Sequence, residues 1–469
     1  MLLCALPAAL GQGLPDLGDV SQSEMSPQTE RRLGESIMRE IRADPSYSDD
    51  AEITDYLNTL GYKLVAASAD SRQEFNFFLI TDTQVNAFAL PGGFVGINSG
   101  LILTAQSESE LAGVVSHEVA HVTQRHMARM LAAQKQSTVT TLAMLAVAVL
   151  AARASPDLAQ AAVIGAGAVS IQSQLNYTRD HEREADRVGF QVLEKAGFDA
   201  QAMALFFERM QKATRFYETS APAYLRTHPL TYERIADMQS RAQNLPYRQV
   251  PDSLDFQLAR AKIKAAQDTP EEALAFFQQS LGERKYLSEA ASRYGLVAAL
   301  IRSKAYARAG KELQALRKAL PDSAAVDALT ARYYVASGDV GAALQTYRDS
   351  LKSHPGSRAL VYGYAEVLLQ NQQAGEALKL VESRLQYSVT DYKMYELQAK
   401  CYSALGKRLS QHRAQAESYF RKGNVQSAIE QLQLAQKSGD GDFYQLSSVD
   451  ARLRELRALE AETKRENRK

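Results

Sequence analysis

His117-Glu118-Val119-Ala120-His121 sets two imidazoles four residues apart, with a carboxylate beside the first. On a helix, positions i and i+4 share a face, so both rings can bind one zinc ion while Glu118 faces a water at the metal. The chemistry implied is metal-assisted hydrolysis of a peptide bond, with Glu118 as general base. The surrounding sequence favours a helix. Ser107-Glu108-Ser109-Glu110 has capping-box spacing, and Leu111, Val114, Val115 and Val119 follow at helical intervals. Neither Pro nor a late Gly interrupts Leu111 to Leu131.

Catalytic zinc takes three protein ligands and leaves a fourth position for water or substrate. Asp180-His181-Glu182-Arg183-Glu184-Ala185-Asp186 opens a second helical stretch in which Glu182 and Asp186 are one turn apart. Glu182 can supply the third ligand. Asp186 can accept a hydrogen bond from the outer nitrogen of a ligand His, fixing its tautomer.

H-E-V-A-H followed about sixty residues later by E-x-x-A-D resembles the Glu-zincin peptidases related to the CAAX prenyl protease. Further motifs carry the same resemblance: Asn86-Ala87-Phe88-Ala89 with its Gly-Gly turn, His121 to His126, Glu182 to Arg187, and Thr227-His228-Pro229-Leu230. The resemblance implies that His117, His121 and Glu182 hold one Zn2+ per chain, that Glu118 is the general base, and that Asp186 is the acidic residue behind the ligands, in some members a proton donor. Helical geometry separates the competing residues. Glu184 lies about 200° round from Glu182, so only one of them can face the metal, and Asp186 shares the face of Glu182. His126 lies about 180° from His117 and is expected to be a structural hydrogen-bonding residue, and His181, about 100° off, is expected to be solvated. His354 and His412 have no partner pattern. His228, before Pro229, can reach the fourth coordination position as a ligand or gate, or meet a transition-state oxyanion.

The elements that must position these groups are expected to be mainly α. Residues 26–245 read as a zincin-type α+β metalloprotease domain with a small sheet, and residues 252–460 as an α-helical tetratricopeptide-repeat solenoid. Leu33, Ile37, Ile41 and Ile53 to Leu57 mark helices ahead of the catalytic core. Glu74 to Ile80 reads as a strand, and Asn86 to Asn98 as two strands around Pro91-Gly92-Gly93. Gly93, Phe94, Val95 and Gly96, in a Gly-rich strand just before the metal helix, are the expected edge that pairs with an extended substrate. Thr138 to Ile171 reads as an apolar helical hairpin whose arms fall short of the roughly 20 residues that span a membrane, so at most peripheral membrane contact is expected. Past a Pro246–Pro251 linker, Ala309, Ala343 and Ala377 recur at intervals of 34 residues, as do Pro321 and Pro355. That is the tetratricopeptide period, with related stretches at Glu271–Leu274 and Gly423–Ala428, and about four repeats are expected.

The 54 basic and 54 acidic residues cancel, which argues against a nucleic-acid partner. Residues 1–11 read as a signal-peptide segment, with Ala9-x-Gly11 at the cleavage position and no basic n-region. Cys4 falls inside it, so a mature chain would keep Cys401 alone and form no internal disulfide. With the repeats and this segment, the arrangement is similar to periplasmic members of the family. The resemblance implies periplasmic protein quality control: degradation of misassembled outer-membrane β-barrel proteins, and assistance to their assembly through contacts with the assembly machinery. The competing expectation is a repeat-based chaperone or scaffold whose zinc site is structural or latent. The intact Glu118 speaks against it, because a structural site needs no base and is closed by four ligands.

Overall fold

A computed structural model of the chain describes residues 25–69, 73–133, 179–214, 223–243, 245 and 248–466. The expected signal segment and the apolar hairpin at 138–171 lie outside the described residues.

Ser26 opens helix α1 (Pro27–Ala43), its hydroxyl accepting from Thr29 N at 3.2 Å, and Asp50 opens α2 (Ala51–Ala67) by accepting from the Glu52 and Ile53 amides. Between and after them come β1 (Tyr47–Ser48), β2 (Asn76–Ile80), β3 (Ala87–Leu90) and β4 (Phe94–Asn98). These strands form one mixed sheet in the order β1-β2-β4-β3. β4 runs parallel to β2, with Phe77 opposite Val95, and antiparallel to β3, with Phe88 opposite Gly96.

This order corrects the expected substrate edge. Gly93, Phe94, Val95 and Gly96 lie in or beside a central strand with partners on both sides, and its five residues are all buried. Its glycines have structural reasons. Gly93 sits at φ +86, and a Cβ there would stand 2.0 Å from the Glu74 carbonyl oxygen. At Gly96 a Cβ would strike the Phe88 ring at 2.3 Å. Phe94 belongs to the core between α1 and the sheet, with the Arg31 guanidinium 4.3 Å from its ring centre. The sheet edges are β1 and β3.

After the short α3 (Ser99–Thr104) comes α4 (Glu108–Thr123), which carries the H-E-x-x-H residues and is buried from Glu108 to Val122. Half of the expected capping box forms. The Ser107 hydroxyl accepts from Glu110 N at 3.2 Å, while the Glu110 carboxylate accepts from Gln106 N and pairs with Arg209. The helix expected to continue to Leu131 breaks at Arg125, whose φ is +53, and resumes as α5 (His126–Ala133). Arg125 is held in this uncommon conformation by Glu30 and by the Met25 carbonyl, to which it donates.

α6 (Arg179–Lys195), α7 (Gln201–Thr214), the single turn α8 (Ala223–Thr227) and α9 (Tyr232–Gln243) complete the unit around α4. α6 packs closely on α4 because Gly189 has no side chain: a Cβ there would lie 3.0 Å from His117 Cα.

Twelve further helices follow: α10 (Leu254–Gln267), α11 (Pro270–Gly282), α12 (Glu289–Arg302), α13 (Tyr306–Ala319), α14 (Ala324–Ser337), α15 (Val340–Ser353), α16 (Arg358–Gln370), α17 (Ala374–Leu385), α18 (Tyr392–Ala404), α19 (Arg408–Arg421), α20 (Val425–Gln436) and α21 (Phe443–Glu466). They make six helix pairs among the described residues, two more than the Ala spacing suggests. Ala273, Ala309, Ala343, Ala377 and Ala428 each occupy the fourth position of a helix and are fully buried. In α19 that position is Gln411, which hides the pair from the repeat pattern.

The solenoid is joined to the first unit. Phe256, Ala259 and Ile263 of α10 belong to the same core as α4, and the buried Glu108 carboxylate accepts from Ser253 N and Oγ, both at 2.8 Å. The acidic start of α2 is held by cations of the repeats: Lys262 lies 2.6 Å from Asp50 and 2.9 Å from Glu52, and Arg358 pairs with Asp55. Burial pushes the Asp50 carboxyl up, but Lys262 overrides it and the net shift is downward. A depressed carboxyl contributes stability above its unfolded pKa and loses it as pH falls through the folded value. Lys262→Met is therefore expected to cost about 1–3 kcal/mol near pH 7. Thermal melts should show the difference from wild type shrinking below pH about 4, and an equal difference at both pH values would sink the assignment.

Candidate metal centre

His117, His121, Glu182 and His228 each offer one donor atom, all within 4.8 Å of one another, and all four residues are buried. α4 supplies the first two, the first turn of α6 supplies Glu182, and His228 follows α8, its amide donating to the Tyr224 carbonyl at 2.8 Å. Of the four, His228 is the one for which the sequence left both a ligand and an oxyanion role open.

The donor spacing can be tested against an ion. Zinc–ligand bonds of about 2.0–2.1 Å in a tetrahedron place neighbouring donors about 3.3 Å apart. Here His117 Nε2 is 3.0 Å from His121 Nε2, 3.5 Å from Glu182 Oε2 and 3.3 Å from His228 Nδ1. Glu182 Oε1 is 3.4 Å from His121 Nε2 and 3.1 Å from His228 Nδ1. These spacings are close to those of donors around one cation, and the four groups converge on a single buried point.

The electrostatics point the same way. Burial pulls the His117 imidazole down, but the Asp186 and Glu182 carboxylates override it and carry it up to about 9. Burial dominates at His121, which falls to about 3. Glu182 is held well below its ordinary value: burial opposes this, and His228, His117 and His121 impose it. Buried carboxylates that stay ionised call for positive charge in their midst.

Around these donors, Asp186 Oδ1 stands 3.1 Å from His117 Nδ1. Glu118 is fully buried and neither carboxylate oxygen makes a hydrogen bond, the closest ring nitrogen being His228 Nε2 at 3.5 Å. Burial raises its pKa, which the His228 and His117 charges and the Ala89 amide partly offset. His126 is not on the far side of the helix, because the break at Arg125 turns its Nδ1 to within 2.8 Å of His121 Nδ1. Its Nε2 lies 3.3 Å from Glu184, which Arg129 also holds. Glu184 thus faces away from the donors, and His181 stacks on His126 with ring centres 4.5 Å apart. His354 and His412 sit in the repeats, near Asp322 and Gln431 respectively.

Two residues of this site carried no sequence signal. Arg234, 4% exposed, donates to both Asp186 oxygens at 2.6 and 2.8 Å and to the Pro229 carbonyl at 2.8 Å, and its Nη1 is 2.9 Å from Glu182. Tyr224 stacks on His228. A single Arg or Tyr in a short amphipathic segment looks like an ordinary surface or core residue, and only the fold brings these two inward.

Comparison with known proteins agrees with this architecture. The model of Peptidase family M48 matches residues 52–242, and a tetratricopeptide-repeat model matches residues 334–401. A relative from Vibrio cholerae is 35% identical, covering 94% of this chain and 92% of its own. The beta-barrel assembly-enhancing protease of Escherichia coli K12 is 32% identical over 95% of this chain and 92% of its own. The mitochondrial metalloendopeptidase OMA1 of Schizosaccharomyces pombe is 30% identical over 46% of this chain and 62% of its own. With an M48 unit ahead of tetratricopeptide repeats, and relatives aligned over nearly its whole length, the chain belongs to the beta-barrel assembly-enhancing protease family of M48 metalloendopeptidases.

Proposed function

We propose that the chain is a zinc-dependent endopeptidase of periplasmic protein quality control, acting on misassembled outer-membrane β-barrel proteins and assisting their assembly. The name of its Escherichia coli relative supports the client class. The observation that carries the catalytic reading is the convergence of four buried donors beside the buried Glu118 carboxylate.

His117, His121 and Glu182 would hold the metal, and Asp186 fixes His117 through Nδ1. Zinc bound there supplies a Lewis acid and makes a nearby water more acidic. Glu118 takes the proton of the attacking water and returns it to the leaving amine. The substrate pairs as an extended strand along β3, the edge strand whose Ala89 amide approaches Glu118. His228 would be the fourth protein donor to the metal in the resting form, so that the enzyme would be latent until His228 withdraws.

A casein-degradation assay on wild type, chelator-treated wild type and His228→Ala tests this reading. The variant should exceed wild type several-fold and the chelated protein should be inactive. No cleavage by any form would favour the scaffold alternative. His117→Ala should lower the zinc content measured by metal analysis, and full occupancy in that variant would count against the ligand set.

A further inference from the structure

We propose that the Tyr224 hydroxyl donates a hydrogen bond to the oxyanion that forms at the scissile carbonyl, making Tyr224 a catalytic residue. The inference rests on the endopeptidase reading above.

Tyr224 is fixed on every side except at its hydroxyl. Its amide donates to the Val85 carbonyl at 3.1 Å, and its carbonyl accepts from His228 N at 2.8 Å and from Thr227 Oγ1 at 3.1 Å. Its ring stacks on His228 at 4.8 Å and 26°, lies 6.2 Å from Phe207, and stands 6.4 Å from the His117 ring. The residue is 1% exposed, yet its hydroxyl has no hydrogen-bond partner. A buried O–H left without an acceptor costs the desolvation of a polar group, and Phe would fill the same space without that cost.

The second observation is what shares its surroundings. Among charged groups, Glu118 acts on this hydroxyl most strongly, ahead of Arg234, Glu182 and Asp186. Both Glu118 oxygens are themselves buried with no side-chain hydrogen bond, His228 Nε2 standing 3.5 Å away and the Ala89 amide nearby. An unused donor and an unused acceptor therefore belong to one buried site and are not bonded to each other. Peptide hydrolysis needs one of each. As the water oxygen bonds to the carbonyl carbon, its proton passes to Glu118 and the C=O electron pair moves onto the oxygen, which accepts from Tyr224. Collapse restores the C=O bond, breaks the C–N bond, and moves the proton from Glu118 to the amine. Tyr224 keeps its proton throughout.

Tyr224→Phe in the full-length, zinc-loaded chain isolates the hydroxyl, since every ring contact is retained. We expect kcat to fall by about 10²-fold with KM little changed, the usual loss for one oxyanion donor. Affinity for a phosphinic peptide, a transition-state mimic titrated by calorimetry, should weaken by a similar factor. Zinc content should be unchanged and Tm no lower than in wild type. Turnover and phosphinic-peptide affinity within twofold of wild type would overturn the proposal, as would loss of zinc or of folding in the variant, which would make the hydroxyl structural. Wild type and His228→Ala that both fail to cleave peptides and to bind the phosphinic peptide would overturn the endopeptidase reading, and this inference with it. Wild type that does both while Tyr224→Phe matches it would overturn this inference alone.

Discussion

Glu118→Gln is expected to leave the metal in place and to reduce peptide hydrolysis by about 10²–10⁴-fold, the range contributed by a positioned general base. Gln has the shape of Glu, and Glu118 is enclosed at 0% exposure, so neighbouring His117 and His121 keep their positions. What is lost is the acceptor. An amide cannot take a proton from water, and the neighbouring carboxylates do not replace it, because Glu182 lies among the metal donors and Asp186 is held by Arg234. Burial raises the Glu118 pKa above 4.5, which brings the base closer to the pH at which it works. The same shift has a stability consequence of known sign. A carboxyl with a raised folded pKa is tolerated when protonated and costs stability as pH rises past its unfolded value. Glu118→Gln removes that cost in the metal-free protein, so its Tm at neutral pH after metal removal should equal or exceed that of wild type. Metal analysis, thermal melts and a casein assay on one preparation check all three points. Undiminished turnover would remove Glu118 from the base role, and loss of metal would show that the carboxylate serves the ion.

How much of this site could be read in advance depended on the range of the interactions. His117 with His121, and Glu182 with Asp186, are visible because helical periodicity puts each pair on one face, and the motif and family resemblance add Glu118 and the roles. His228 is visible only as a candidate, since a loop residue has no periodicity to aim it. The break at Arg125 escaped notice because the expected markers of a helix stop are Gly and Pro, whereas this one is imposed by a contact with Glu30, 95 residues earlier. The misassigned edge has a similar origin. Adjacency suggested a hairpin at the rim of the sheet, but β2 inserts in parallel on the open side of β4, and strand order is a long-range property. In the solenoid the spacing gave about four repeats against six helix pairs, because Ala273 and Ala428 fall off the 34-residue interval and Gln411 stands where the next Ala would be. The solenoid's grip on the first unit, through Phe256 and through Lys262 on Asp50, was invisible because each partner alone reads as an ordinary helical residue.

Arg234→Met should destabilise the protein by about 3–5 kcal/mol, because it removes one partner of a buried ion pair and leaves the other charge unpaired. For a unit of this size that lowers Tm by roughly 10 °C. The guanidinium joins three parts of the site: the Asp186 carboxylate at 2.6 and 2.8 Å, Glu182 at 2.9 Å, and the Pro229 carbonyl of the segment carrying His228 at 2.8 Å. Burial opposes the charge on Arg234, yet Asp186 and Glu182 raise its pKa beyond the ordinary value, so it stays protonated at every working pH. Once it is gone, Asp186 and Glu182 retain only imidazole partners, and the Asp186 pKa must rise from its depressed value. Depressed carboxyls contribute stability above their unfolded pKa and lose it as pH falls, so the variant should have surrendered that contribution already at pH 7. Arg234→Lys is the informative companion. It keeps the charge but cannot form the two-pronged contact with Asp186 or reach the Pro229 carbonyl at the same time. If the fork geometry matters, Lys should recover part of the Tm and little of the zinc affinity. Full recovery of both by Lys would reduce Arg234 to a point charge, and a Met variant with wild-type Tm and zinc content would show that Asp186 is held by His117 alone.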